Sequence, residues 1–249
     1  MAGHSKFKNI MHRKGAQDKK RAKLFSRLIR EISVATKLGS NDPDSNPRLR
    51  TAINNALASN MTKDSIDKAV KKNSSSDDEN LIEEIIYEGF GPGGVAIIIE
   101  SMTDNRNRSA SEIRSTFSKY NGNLGISGCV KHNFQRLGVI NYDSKVSSFD
   151  NFFEFCSSLD VIDIIENEND FQVLTNVGFF NNALEILEKE FSLAKFSGLE
   201  WRPLNTIEIN NENDASKLLT LLEKLEELDD VQNIASNFNI NDNLMEKLI

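Results

Sequence analysis

The sequence predicts an α+β protein of several domains: a basic N-terminal helical bundle followed by ferredoxin-like α/β units. Three observations carry this. Apolar residues recur at helical spacing through residue 72. The polar stretch "KKNSSSDDEN" then interrupts the pattern where the charge changes sign. Beyond it, short strands alternate with helices and lack long parallel crossovers, as split-βαβ units do.

From Ala16 to Leu38 the apolar positions are Leu24, Phe25, Leu28, Ile29, Ile32, Ala35 and Leu38. Gly39 and "SNDPDSNP" stop this helix, and Pro47 suits the first turn of the next because its missing N–H is not needed there. "PRLRTAINNALASN" offers Leu49, Ala52, Ile53, Ala56 and Leu57 as a second stripe. A third short helix is expected from Thr62, with Ile66, Ala69 and Val70 inward.

After the linker, "LIEEIIYEGF" and "VAIIIESMT" read as two strands joined by "GFGPGG". "SASEIRSTFSKYNG" reads as a helix whose N-terminus is set by a Ser109–Glu112 capping box. "GCVKHNF" and "GVINYD" follow as short strands. "SFDNFFEFCSSL" is a second helix with Phe149, Phe152, Phe153 and Cys156 on one side. "DVIDIIENENDFQVLT" reads as a hairpin, "NNALEILEKEF" as a third helix and "LEWRPLNTIEI" as extended chain. "DASKLLTLLEKLEEL" is a strongly periodic fourth helix, and "DVQNIASNF" a closing strand.

The chain of 249 residues has a formal net charge of -7, unevenly divided. Through Lys72 there are 17 Lys and Arg against 6 Asp and Glu, a net of +11; the remainder carries 13 against 31, a net of -18. Such asymmetry fits a grip on nucleic acid or another anionic surface, with a merely solvated basic face as the bland alternative. No apolar run is long enough to span a bilayer, so no membrane role is expected. No apolar h-region follows the first basic residues, which excludes a secretory peptide; a Lys-heavy, nearly Ser-free stretch running into a core helix argues against a transit peptide. Cys129 and Cys156 lack metal-ligand spacing and read as reduced, buried thiols.

Searching for chemistry yields little. "GFGPGG" matches GxGxxG through Gly89, Gly91 and Gly94, but the β-rich "VAIIIES" follows where a dinucleotide site needs a helix. A tight strand-to-strand turn is the reading that remains. His4, His12 and His132 are too dispersed for a metal site. No Walker loop or nucleophile elbow is present, so neither an enzyme nor a cofactor is expected. In "TDNRNRS", Arg106 and Arg108 precede a helix N-terminus and could hold a phosphate; equally, Asp104 could pair with a neighbouring arginine in a structural turn. The strongest signal is the first segment, "AGHSKFKNIMHRKGAQDKKRAKLFSRLIREI". Its cations neutralise phosphates with little dependence on base sequence. Phe7 either stacks on exposed bases or anchors the segment by packing. The candidate nucleic-acid contacts are His4, Ser5, Lys6, Phe7, Lys8, His12, Arg13, Lys14, Lys19, Lys20, Arg21 and Lys23, with Arg106 and Arg108. No helix-turn-helix, zinc finger or RNP pattern supplies groove or base reading.

The first segment, together with "YEGFGPGGVAIIIESMTDNRNRSASEIR", "NGNLGISGCV" and "DVQNIASNF", resembles the successive signature blocks of the YebC/PmpR family. The resemblance runs nearly end to end. It implies a basic helical domain over residues 1–76, a discontinuous α/β domain over 80–134 plus 205–249, and a ferredoxin-like domain over 135–204 inserted in it. It also implies a non-enzymatic, cytoplasmic DNA-binding transcriptional regulator. Relatives that include a mitochondrial translational activator imply an alternative partner, ribosomal RNA on the ribosome. The motif starting at residue 2 favours a bacterial cytoplasmic member. Three departures stand out. Phe7 replaces the usual tryptophan, Cys129 and His132 alter the "GCVKHNF" block, and Ala235 and Ser236 stand where tyrosine and histidine are usual. Oligomeric state is not legible.

Overall fold

The structure, a computed structural model, describes residues 17–74 and 82–248, with side chains for 20–72 and 82–248. By contact density the chain divides into two compact units. Among the described residues, one comprises 17–23, 82–135 and 201–248, and the other 24–74 and 136–200.

The second unit holds α1 (Gln17–Leu38) from Leu24 onward, α2 (Pro47–Ala58) and α3 (Lys63–Ser74), and these form the expected bundle. Ile32, Ala35, Leu49, Ala52, Ala56, Met61, Ile66 and Ala69 are its buried core, flanked by Phe25 and Leu28. The stripe on α1 is narrower than its sequence implied: Leu24, Ile29 and Leu38 are exposed. Residues 25, 28, 32 and 35 already close one helical face, and those three fall to either side of it. Pro47 opens α2, capped by Asn46, whose side chain accepts from Leu49 N at 3.1 Å. The same amide donates to the Ala35 and Ser40 carbonyls at 2.8 and 2.7 Å, closing the turn after α1. Thr62 caps α3 through Ser65 N.

The same unit contains a β-α-β-β-α-β succession. Its elements are β4 (Phe134–Asp143) from Arg136 onward, α5 (Phe149–Ser157), β5 (Asp163–Glu166), β6 (Asp170–Thr175), α6 (Phe180–Phe191) and β7 (Phe196–Pro203) as far as Glu200. The strands form a sheet of order β5-β6-β4-β7, and β4/β6 and β5/β6 are antiparallel. Tyr142, Phe149, Phe152, Phe155, Phe171 and Phe191 cluster with ring centroids 4.9–6.0 Å apart. Phe153, expected inward, is exposed. Cys156 is fully buried, and that burial pushes its thiol up to about 12, so it stays protonated and inert. Within this unit α2 is tied to β7 by a reciprocal amide pair. Asn55 Nδ2 donates to the Ser197 carbonyl at 2.7 Å, and Ser197 N donates to Asn55 Oδ1 at 2.9 Å. Asn55→Ala leaves both backbone groups of a buried serine without these partners. We expect a loss of about 2 kcal/mol, read from urea unfolding, and an unchanged midpoint would contradict it.

In the first unit, the expected hairpin is present as β1 (Glu83–Phe90) and β2 (Ala96–Thr103), antiparallel in full register. It is joined by a 3₁₀ turn at Pro92–Gly94, where Gly93 and Gly94 both take φ of 75°. That is the tight-turn reading of "GFGPGG". There follow α4 (Arg106–Lys119), β3 (Asn123–Leu124), β8 (Ile207–Glu208), α7 (Glu212–Glu227), β9 (Val231–Ser236), β10 (Phe238–Asn239) and α8 (Asp242–Leu248). The main sheet runs β3-β1-β2-β9, and β9 pairs antiparallel with β2, so the last part of the chain completes the sheet begun at Glu83. Alternation along β2 sends Ile97 and Ile99 toward Ile113 and Phe117 of α4 and Leu218, Leu221, Leu222 and Leu225 of α7. Ala96 and Ile98 face the other way, against Val130, Phe134, Trp201 and Ala235.

Three expectations fail in this unit. Helix α4 begins at Arg106 with Asn105 as its cap, so the Ser109–Glu112 capping box does not exist. "GCVKHNF" is not a strand: Lys131–Asn133 is a 3₁₀ turn, and the strand starts at Phe134. Helix α8, capped by Asn241, was not foreseen.

Candidate nucleic-acid interface and the clamped loop

The candidates His4, Ser5, Lys6, Phe7, Lys8, His12, Arg13 and Lys14 lie outside the described residues. Lys19 lies in the α1 backbone. Lys20, Arg21 and Lys23 sit on the first turns of α1, where Arg21 is exposed and Lys20 and Lys23 are half-buried. Lys23 Nζ donates to the Leu228 carbonyl at 3.1 Å. Farther along the bundle, Arg48 pairs bidentately with Glu31, at 2.7 and 3.1 Å, while Lys71 and Lys72 are exposed on the last turn of α3.

At the other candidate locus, Arg106 and Arg108 occupy the first turn of α4. Arg106 is exposed, and its carbonyl accepts from the Tyr87 hydroxyl at 3.3 Å. Arg108 is held by two carboxylates, Asp104 at 2.9 Å and Asp230 at 2.8 Å. Its backbone N–H is taken by Asn105. The Asp104 pairing that defines the structural-turn alternative is therefore present, and the helix start is already capped by protein groups.

Asp230 explains why the capping rule misleads. It is 3% exposed, just before β9. Its Oδ2 accepts from Ser109 Oγ at 2.6 Å and Thr103 Oγ1 at 3.0 Å as well as from Arg108. Ser109 is thus drawn inward as a buried donor, leaving the capping position to Asn105. This latch fastens the end of β2 and the start of α4 to the C-terminal strand. Asp230→Ala is expected to cost about 3 kcal/mol, with Asp230→Asn nearer 1, because the amide oxygen still accepts but carries no charge. Thermal unfolding reads the order; equal melting points for both variants and the parent would contradict it.

Glu88 builds a second, more unusual arrangement. It shares a face of β1 with Ile86 and Phe90 yet is 3% exposed. Its carboxylate accepts three backbone N–H groups of one loop: Gly128 at 2.7 Å, Val130 at 2.8 Å and Lys131 at 2.9 Å. Burial by itself would raise the Glu88 pKa. The three N–H donors and the Lys131 ammonium outweigh it and hold the group below its ordinary 4.5. The loop's donors converge on one carboxylate, which curls the chain into a 3₁₀ turn and prevents the expected strand. Gly128 takes φ of 86°, which favours glycine there, and a Cβ on Gly125 would push against Cys129 Sγ. Lys131 Nζ lies 5.4 Å from the centre of the Trp201 ring, whose Nε1 donates to Glu100 at 3.1 Å. His132 is exposed beside it.

Among the described residues no group of three or more His, Cys, Asp or Glu is placed to hold a metal ion, and no helix is long and apolar enough to cross a membrane. Neither Glu88 nor Asp230 was foreseen from sequence. The only hint of the first was an acid between Ile86 and Phe90 on one face of the strand.

A basic helical N-terminal part followed by antiparallel α/β units defines the class of this chain. Comparison gives that class a family. A family model described as the TACO1/YebC protein N-terminal domain matches residues 5–76, and one described as the TACO1/YebC second and third domain matches 82–238. The chain belongs to the TACO1/YebC family. It is 49% identical over 249 residues to a "Probable transcriptional regulatory protein" of Rickettsia bellii, covering 100% of this chain and 98% of that one. It is 49% identical over 246 residues to a similarly named protein of Rickettsia canadensis, covering 98% and 97%. A crystal structure of a conserved hypothetical protein from Aquifex aeolicus matches with a TM-score of 0.83 at 43% identity, covering 90% of this chain and 92% of that one.

Proposed function

We propose that this protein is a non-enzymatic regulator of gene expression that binds DNA through its basic N-terminal part and acts on transcription in the cytoplasm. The observation that carries the reading is the division of charge: +11 through Lys72 against -18 after it. The names of the Rickettsia relatives support the regulatory role. In this reading the grip is formed by His4, Ser5, Lys6, Phe7, Lys8, His12, Arg13, Lys14, Lys19, Lys20, Arg21 and Lys23. Arg106 adds a phosphate contact, and Arg108, tied to two carboxylates, orders that turn more than it reaches outward. The domains are those the family resemblance implies: 1–76, 80–134 plus 205–249, and a ferredoxin-like insertion over 135–204. Away from local cations such as Arg106, the acidic remainder repels phosphate, which orients binding on the basic end. A competing reading, a translation factor on ribosomal RNA, draws on the lack of a groove-reading motif in the sequence.

The test is a titration of duplex DNA with the full chain across salt concentrations. A linear fall of log affinity against log salt is the expected result, reflecting counterion release. Absence of binding at low salt would overturn the reading.

A further inference from the structure

The loop that Glu88 clamps ends in a side chain with no structural duty. Ile126 is 82% exposed, the most exposed large apolar residue described. It stands between Gly125 and Gly128, in a segment whose backbone is fixed on both sides. Gly125 N donates to the Glu88 carbonyl at 2.8 Å, and the Gly128, Val130 and Lys131 amides donate to the Glu88 carboxylate. Burying a carboxylate to hold a loop is costly unless hydrogen bonds compensate it, and here three backbone donors do so. A loop so firmly held presents Ile126 in one position, with its ordering entropy already lost before any partner arrives. Nothing lies within 4 Å of where a Cβ on Gly128 would be, so the backbone beside Ile126 is open to close approach. The Lys131 ammonium in the same segment, followed by the exposed His132, favours an anionic partner.

A fixed, exposed aliphatic side chain beside cations is the arrangement by which proteins enter nucleic acid between stacked bases, unstacking one step. We propose that Ile126 is an apolar wedge that inserts into a base step of the nucleic acid this protein binds. The inference rests on the reading that the protein binds nucleic acid, and it adds a contact to bases that the basic segment lacks. Lys131 and His132 steady the flanking phosphates, and Glu88 acts at a distance as a positioning residue.

The experiment uses the full chain with a DNA duplex carrying 2-aminopurine at its TA steps, which unstack readily, and in parallel an RNA hairpin labelled the same way. The variants are Ile126→Ser and Ile126→Phe, both at an exposed site where the fold does not depend on the side chain. Ile126→Ser is expected to bind about tenfold more weakly, to lose the fluorescence rise that reports unstacking, and to keep the parental salt slope. Ile126→Phe keeps both affinity and fluorescence rise. The labelled polymer that responds identifies which nucleic acid is opened. Parental affinity and fluorescence in Ile126→Ser, including the case where that variant fails only in cells, would overturn the wedge and assign the tip to a protein partner. If the unsubstituted protein binds neither polymer, the underlying reading falls first, and that result is distinguishable because it appears before any variant is made.

Discussion

Neutralising Lys6, Lys8, Arg13 and Lys14 together, each to glutamine, is expected to weaken DNA binding roughly a hundred- to a thousandfold near 0.1 M salt. The slope of log affinity against log salt should flatten by about 3 to 4, since each phosphate contact releases close to one counterion. The effect should be uniform across sequences, because phosphate contacts position a protein without reading bases. The four residues belong to the segment with the densest positive charge in the chain. A weaker variant with an unchanged slope would mean that the segment acts through packing rather than through phosphate, and would remove its assigned role.

The second large effect is on stability. Glu88→Ala is expected to cost on the order of 4 kcal/mol, more than any change at Asp230. The difference comes from what each group leaves behind. At Asp230 two of the three donors are hydroxyls, which can turn; Ser109 Oγ is already 3.2 Å from the Asn105 carbonyl. At Glu88 all three are backbone N–H groups fixed by the loop itself, and Val130 is fully buried. Hydrogen exchange of Gly128, Val130 and Lys131 should accelerate in the variant well beyond that of α7. The same carboxylate gives the loop an acid limit. Its folded pKa lies below the ordinary 4.5, so its contribution is complete above that value and is lost as pH falls through the lower folded pKa. Glu88→Gln should show weaker protection at neutral pH and no such acid-dependent loss. An acid profile identical to the parent's would assign the pH dependence to other groups.

Most elements were legible because their patterns are local. The bundle follows from apolar spacing and Pro47. The β1–β2 hairpin follows from two β-rich runs around a glycine turn. The larger failures were long-range. Ser109 and Glu112 satisfy a local capping rule, but Asp230, 121 residues away, draws Ser109 inward. "GCVKHNF" has strand composition, yet its amides belong to Glu88, some 40 residues earlier. The reciprocal pairing of Asn55 with Ser197 spans 142 residues and has no periodicity to announce it. The proposed grip is visible as charge, a sum over sequence. The proposed wedge is not, because an isoleucine between glycines reads like any turn until its exposure is known.

The central claim, a DNA grip serving transcription, is tested most directly by cross-linking the protein in cells and sequencing both the DNA and the RNA bound to it. The account predicts discrete DNA peaks near transcription start sites that disappear in the quadruple glutamine variant. Dominant cross-links to ribosomal RNA, with DNA at background, would contradict it.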